Sequence, residues 1–225
     1  MKKFSNSIQE RLTARHLKCF QASGNLESKR ILDIGPSFGW FERMALAAGC
    51  DQVIGLEPKS ENFYAAQMEV PSAKFIEGSA LNIPLEDDSF DIVVMFDVIE
   101  HLPKGSELLA LNEIHRVLRK GGRMVLSTPF KHPLSCAFDP AWYFGHRHYS
   151  IEALASLANK SNFTVENIEV RGGYYEMFSS LMMYFFKWVF NTEIPFKDWF
   201  EGKKREEYLG SRRGIETLYL YGIKA

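Results

Sequence analysis

A chain of 225 residues, 46% of them apolar, is long enough for one domain that buries about 70% of its unfolded surface, and its composition is ordinary for a globular protein. A net charge of −1 leaves no electrostatic footprint for nucleic acid, so no nucleic-acid partner is expected. Cys19, Cys50 and Cys136 are odd in number and scattered like reduced thiols, and Met1-Lys-Lys-Phe-Ser lacks the apolar stretch of a signal peptide; a cytoplasmic location is expected.

The elements alternate strand and helix, which argues a parallel sheet covered by helices on both faces. Residues 7–22 read as a helix with Ile8, Leu12, Leu17 and Phe20 among charges. Ile31-Leu-Asp-Ile-Gly-Pro-Ser-Phe-Gly39 then gives a strand, a tight loop and a helix start, which lets backbone amides approach a nucleotide-like ligand. Gly35 and Gly39 allow an approach that a Cβ would obstruct, and Asp33 either orders that loop or reaches a cationic ligand. Small residues at 35, 37 and 39 depart from the G-x-G-x-x-G of dinucleotide sites, which disfavours a nicotinamide-dependent dehydrogenase. The next helix spans 41–48 and stops at Gly49. Val53-Ile-Gly-Leu56 is a second strand closed by Glu57, where an acid can accept hydrogen bonds from ribose hydroxyls. Lys74-Phe-Ile76 leads into Gly78-Ser-Ala-Leu-Asn-Ile-Pro84, and Phe90-Asp-Ile-Val-Val-Met-Phe96 into Asp97-Val-Ile-Glu-His-Leu102. Apolar residues at 108, 111, 114 and 118 predict a helix over 105–120, with Arg119 and Lys120 in its last turn and Gly121 behind it. Residues 123–127 read as the fifth strand. Ser150 caps a helix to about residue 159, and 163–170 and 217–224 are the last two strands.

In order and spacing, Leu32-Asp-Ile-Gly35, Gly55-Leu-Glu-Pro58, the run Ile83-Pro-Leu-Glu-Asp-Asp-Ser-Phe-Asp91 and Asp97-Val-Ile-Glu-His-Leu102 resemble class I S-adenosylmethionine-dependent methyltransferases. The small-molecule branch, type 11-like, is closest, and the resemblance covers roughly residues 30–170. It implies an α/β, doubly wound three-layer sandwich on a seven-stranded, mostly parallel sheet, with an antiparallel last strand between the fifth and sixth. A single domain over 1–225 follows, with an N-terminal helical cap over 1–28, an aromatic-rich helical insertion over 172–212 and S-adenosyl-L-methionine as cofactor. Carried over residue by residue, the cofactor would be held by Asp33, Gly35, Ser37, Phe38 and Gly39, with Glu57 and Pro58 at the ribose, Ser79 and Ala80 at adenine and Asp97 at the methionine moiety. Two positions depart from the pattern. Ser37 stands where glycine is commonest, and Ser79 where many relatives carry an aspartate that accepts from the adenine amine. In the family the N-terminal helix often packs over the cofactor; an ordinary surface helix is the other reading.

A sulfonium already activates its methyl group, so positioning and water exclusion supply most of the rate, and a base is needed only for a protonated nucleophile. His101 is the leading catalytic candidate. It follows the fourth strand, where such sheets open their crevice, and its ordinary pKa lies near neutrality. Packing the loop before Pro103 is the alternative. Glu100 either orients His101 or is solvated, the second being favoured. The segment after the fifth strand should overhang the same crevice, with Trp142, His146, Arg147, His148 and Tyr149 as an acceptor wall in which Arg147 could grip a carboxylate or phosphate. The other reading is a loop folded around its own hydrogen bonds. His132, Cys136, His146 and His148 match no common zinc spacing, so no metal is expected.

Residues 174–200 hold 11 aromatics. The apolar stretch 178–190 is too short to span a bilayer, which needs about 20 residues. It caps the crevice, packs on a second subunit to give a homodimer, or lies in a membrane interface as a peripheral contact. The mixed charges of 201–207 read as a solvated helix face. The expected activity is methyl transfer to a small apolar or sugar-like acceptor, at oxygen, by in-line displacement. The alternative is a non-catalytic cofactor-binding scaffold or regulatory protein. A pocket walled by 129–149 and 174–190 would favour the enzyme, a filled crevice the scaffold.

Overall fold

The computed structural model describes residues 12–225, so the part of the first predicted helix over 7–11 lies outside it. The strands are β1 (Arg30–Ile34), β2 (Gln52–Glu57), β3 (Lys74–Glu77), β4 (Phe90–Phe96), β5 (Leu118–Pro129), β6 (Phe163–Arg171) and β7 (Thr217–Lys224). They form one sheet in the order β3-β2-β1-β4-β5-β7-β6. The first five are parallel, and β7 runs antiparallel to both β5 and β6. The helices are α1 (Ala14–Ala22), α2 (Trp40–Ala47), α3 (Ser60–Glu69), α4 (Glu107–Val117), α5 (Pro133–Phe138), α6 (Ile151–Lys160), α7 (Tyr174–Phe190) and α8 (Lys197–Leu209). This is the doubly wound, mostly parallel architecture that the alternation of elements predicts.

Side chains alternate across each strand, so the sheet feeds two cores. Leu32, Ile34 and Met95 pack with Leu111, Ile114 and Leu154 on one face. Ile31, Val53, Val94 and Val125 pack with Phe41, Ala45 and Tyr208 on the other. Each fully buried aliphatic side chain contributes on the order of 2 kcal/mol by leaving water. Strand order reverses between β1 and β4, where the chain winds outward in both directions. A sheet of this kind opens its ligand crevice there, beyond the carboxyl ends of the strands. Gly35 directly follows β1 and Asp97 directly follows β4, so both stand at that crevice.

Two local expectations need correction. The helix expected to reach residue 120 ends at Val117, and Leu118 turns extended to pair with Phe90 as the first residue of β5. Leu118 is thereby completely buried, a gain that outweighs the helical period. The register then breaks before Arg123 meets Ile92, and Gly121 supplies a φ of +73° inside that break. The second correction concerns 201–207. Lys204 is buried between Glu176 and Glu201. The Glu207 carboxylate accepts from the backbone amides of Gly173, Tyr175 and Glu176 at 3.0, 2.9 and 3.0 Å. It thus caps the N-terminus of α7, where free amides and the helix dipole favour an anion. Among the described residues no helix is long and apolar enough to cross a membrane.

Candidate active site

Gly35, Ser37 and Gly39 all adopt left-handed backbone, with φ of +82°, +52° and +79°. The Gly35 amide donates to the Leu56 carbonyl at 3.0 Å, and a Cβ on Gly35 would stand 2.4 Å from Val98 Cγ2. Ser37 takes the same conformation with a Cβ, at a cost of roughly 1–2 kcal/mol. A cavity of about 220 Å³ lies over this turn. Its wall includes Asp33, Gly35 and Ser37 from the turn, Asp97 and Val98 from the end of β4, and Arg15, His16 and Cys19 from α1. The first described helix therefore packs over the turn. Its N-terminus is fixed by a reciprocal cap, in which His16 Nδ1 accepts from the Thr13 amide at 3.0 Å and Thr13 Oγ1 from the His16 amide at 3.4 Å. The His16 ring lies 4.6 Å from Trp40 and 5.9 Å from Phe38. Burial pulls the His16 pKa down to about 4, which keeps it neutral.

Charge in this cavity is arranged around Arg15. Its Nη2 donates to Asp97 Oδ1 at 2.6 Å, and Ser127 Oγ donates to the same oxygen at 3.0 Å. Asp33 is buried, and burial pushes its pKa up to about 8. Burial and the Asp33 carboxyl also raise that of its neighbour Glu42. Two adjacent carboxyls in a dry site cannot both ionise. Glu57 is buried at the end of β2, where Oε1 accepts from the Lys59 amide at 3.1 Å and from Asn62 Nδ2 at 3.4 Å. Pro58 beside it is exposed. Ser79 Oγ accepts from the Leu81 amide at 3.2 Å, and Ala80 is buried. These four stand at neighbouring strand ends, outside the wall of the cavity over the turn.

A second cavity, of about 190 Å³, shares Arg15 with the first. One side is Pro129, Ser135, Phe138, Asp139, Ala141, His146 and His148; the other is Met177, Ser180, Met183 and Tyr184 of α7, with Glu176, Tyr208 and Glu216 closing the end. Segments 129–149 and 174–190 thus wall an open space. Glu216 Oε2 accepts from Ser135 Oγ at 3.4 Å, while Oε1 is buried with no hydrogen-bond partner among the described residues. Burial raises the Glu216 pKa to about 7.

The residues expected to form the acceptor wall divide. His146 lines this cavity, and its ring lies 4.9 Å from that of His101. His101 is exposed on the 3₁₀ turn Ile99–His101. Partial burial and the His146 imidazole hold its pKa below the usual value. Trp142 stands edge-on to His148 at 5.0 Å, and His148 is buried against Asp139, with Nε2 to Oδ2 at 2.9 Å. Arg147 turns away from the cavity. Nε donates to Glu100 O at 3.0 Å, Nη2 to Ile99 O at 2.7 Å and Leu102 O at 2.5 Å, and Nη1 to the Glu107 carboxylate. Tyr149 is buried, with its hydroxyl donating to Glu107 at 3.2 Å. These two join loops; their polar groups are spent on protein partners, which is why neither faces the cavity. Glu100, read from sequence as solvated, is 3% exposed.

Sequence reasoning passed over Arg15, Asp139, Glu176 and Glu216. Arg15, Glu176 and Glu216 lie far along the chain from the motifs, and only the packing of α1 and α7 over the sheet brings them to the segment that holds Asp139. Asp139 carried a weak signal, an aspartate before Pro140 in a histidine-rich loop.

A family model described as a methyltransferase domain matches residues 32–126. A Mycobacterium ulcerans protein named only as an uncharacterized methyltransferase is 36% identical over 105 residues, covering 46% of this chain and 40% of the relative. A Mycolicibacterium smegmatis protein described as an S-adenosylmethionine-dependent methyltransferase is 32% identical over 139 residues, covering 56% of this chain and 53% of the relative. The chain thus spans about half or less of the length of these curated relatives. Among solved structures, the complex of the Haloferax volcanii Trm112 methyltransferase activator with its methyltransferase superposes with a TM-score of 0.69 at 16% identity, over 97% of this chain and 92% of that one. That likeness concerns the fold, and it joins the ordered motifs and the matched model. Over residues 32–126 the chain is thus similar to a methyltransferase domain, set within the fold that it shares with that solved structure.

Proposed function

We propose that this chain transfers a methyl group from S-adenosylmethionine to a small-molecule acceptor, at oxygen, by in-line displacement. The observation that carries this reading is the pair of cavities that share Arg15. One lies over the glycine turn, where amides and small residues suit a nucleoside-bearing sulfonium. The other is open and enclosed by 129–149 and α7, which supports an enzyme over a scaffold. Asp33, Gly35, Ser37, Phe38 and Gly39 would cradle the cofactor, Asp97 and Arg15 its methionine end, Glu57 and Pro58 its ribose, and Ser79 and Ala80 its adenine. Methionine and tyrosine side chains suit an apolar or sugar-like acceptor, and Glu216 Oε1 offers it a hydrogen-bond acceptor. Among the acceptor residues, His146 and His148 line the wall, Trp142 supports it, and Arg147 and Tyr149 position the loop. His101 supplies the lone pair on which deprotonation of an acceptor hydroxyl depends. The partner contact expected of 174–200, a second copy or a membrane surface, falls on the outward face of α7, where Phe185, Trp188 and Phe190 are exposed.

Calorimetry tests the cofactor half. S-adenosylmethionine or its demethylated product should bind with micromolar affinity, and Glu57→Ala should weaken binding at least tenfold. Folded protein that binds neither ligand would refute the reading. Incubating metabolite extracts with labelled cofactor and identifying the product by mass spectrometry tests the acceptor half. With that acceptor, His101→Ala should abolish turnover and leave cofactor affinity within about twofold.

A further inference from the structure

The turn Ile99–His101 presents Glu100 and His101 together to His146, and one ligating atom from each lies within 4.8 Å of the others. Glu100 has a completely buried side chain. Its Oε2 accepts from Thr128 Oγ1 at 3.0 Å, whereas Oε1 has no hydrogen-bond partner among the described residues. That orphaned oxygen stands 3.9 Å from His146 Nε2. The gap is too long for a hydrogen bond. It lies within the span, up to about 4.2 Å, of two ligands bound to one ion at roughly 2.1 Å each.

The surroundings hold these groups in place. His146 Nδ1 faces Asp139 Oδ2 at 3.2 Å. A proton kept there fixes the tautomer that leaves the Nε2 lone pair open towards Glu100, as carboxylates do behind histidine ligands. Asp139 is itself held by His148 Nε2 and the Ala141 amide, each at 2.9 Å. Arg147, next to His146, clamps the carbonyls of the turn that carries Glu100 and His101.

We infer that Glu100, His101 and His146 form a site for one divalent transition-metal ion, with Asp139 orienting His146 from behind. Two imidazoles and one carboxylate suit zinc, manganese, iron or cobalt better than magnesium or calcium, which take oxygen ligands. The inference replaces the metal-free expectation. Of the four residues weighed for a metal from sequence, only His146 belongs to this set. Asp139, His146 and His148 also cluster, but both imidazoles there meet one carboxylate oxygen at hydrogen-bond distance, so that set is satisfied without an ion. Three protein ligands leave coordination positions open beside the cavity that His146 lines. An acceptor hydroxyl bound there would release its proton to solvent more readily, and in the ion-loaded chain His101 would serve as a ligand in place of acting as the base. That last consequence rests on the methyl-transfer reading; ion binding does not.

The test uses the full chain stripped with a chelator and titrated with Co²⁺, followed by its visible absorption, then with Zn²⁺ in competition. One equivalent should bind at micromolar affinity or tighter, with millimolar Mg²⁺ failing to displace it. Glu100→Gln keeps the buried volume, and His101→Ala removes an exposed ring, so both should fold; each should weaken binding at least 100-fold. Asp139→Asn should weaken it by about 10- to 100-fold. A stripped chain with no saturable cobalt spectrum overturns the assignment. Binding that survives Glu100→Gln and His101→Ala but is lost in His148→Ala overturns it too, by moving the ion to the other cluster. Cofactor binding is read separately by calorimetry, so failure of one reading leaves the other standing.

Discussion

The two cavities that share Arg15 are built on opposite plans. The floor of the cofactor side is local: Asp33 from β1 is followed by Gly35 and Ser37 in the turn, whose backbone angles are set within a few residues of chain, while α1 and the end of β4 complete the wall. The acceptor side is assembled from afar, with Asp139 and His146 on the segment after β5, Glu176 on α7, Tyr208 on α8 and Glu216 just before β7. A local site is sensitive to backbone conformation at single positions. An assembled site is sensitive to the contacts that dock one element on another. Damage to one side should therefore leave the other measurable.

The largest effect should come from Gly35→Ala. The new Cβ would meet Val98 Cγ2 at 2.4 Å, and the φ of +82° is one that alanine disfavours. We expect affinity for the demethylated cofactor to fall at least 100-fold by calorimetry, with the far-ultraviolet circular dichroism unchanged. Retained affinity would show that the turn does not hold the cofactor, and the local plan would fail with it.

The same contrast explains what could be read from sequence. The strand–turn–helix at 31–39, the acid at Glu57 and the antiparallel last strand were legible because each follows from short-range pattern or from ordered motifs. Arg147 was misjudged because an arginine in an aromatic loop looks available until its carbonyl partners at Ile99, Glu100 and Leu102 are known. Glu100 was misjudged for the converse reason. A carboxylate after a strand reads as solvated, and only the packing of the loop at Thr128 and His146 buries it. Lys204 and Glu207 lie in a charge run, and their pairing depends on Glu176 and the first amides of α7, far back along the chain, so no local period could reveal it.

Glu207→Ala addresses the assembled side. Its carboxylate accepts three amides at the start of α7. Losing these charge-assisted caps should cost about 2 kcal/mol of stability, read as a lower urea midpoint with an unchanged slope. Because α7 walls only the acceptor cavity, affinity for the demethylated cofactor should stay within about twofold. A tenfold loss of that affinity would mean the two sides are mechanically one.

The sharpest probe of the local side is the pH dependence of stability in the ligand-free chain. Burial raises the pKa of Asp33 to about 8 and that of Glu42 upward as well. In the unfolded chain both titrate near pH 4. Between those limits the folded state therefore holds protons that the unfolded state has released. Stability is full below about pH 4 and is lost as pH rises towards 8, with a slope of at most about 1.4 kcal/mol per pH unit for each group. Asp33→Asn removes one of the two buried acids and relieves the like charge on Glu42. Chemical denaturation at a series of pH values should then give a visibly flatter decline than the parent shows. Parallel curves for parent and variant would mean that Asp33 is ionised in the folded chain, and that the turn carries a compensating charge close by.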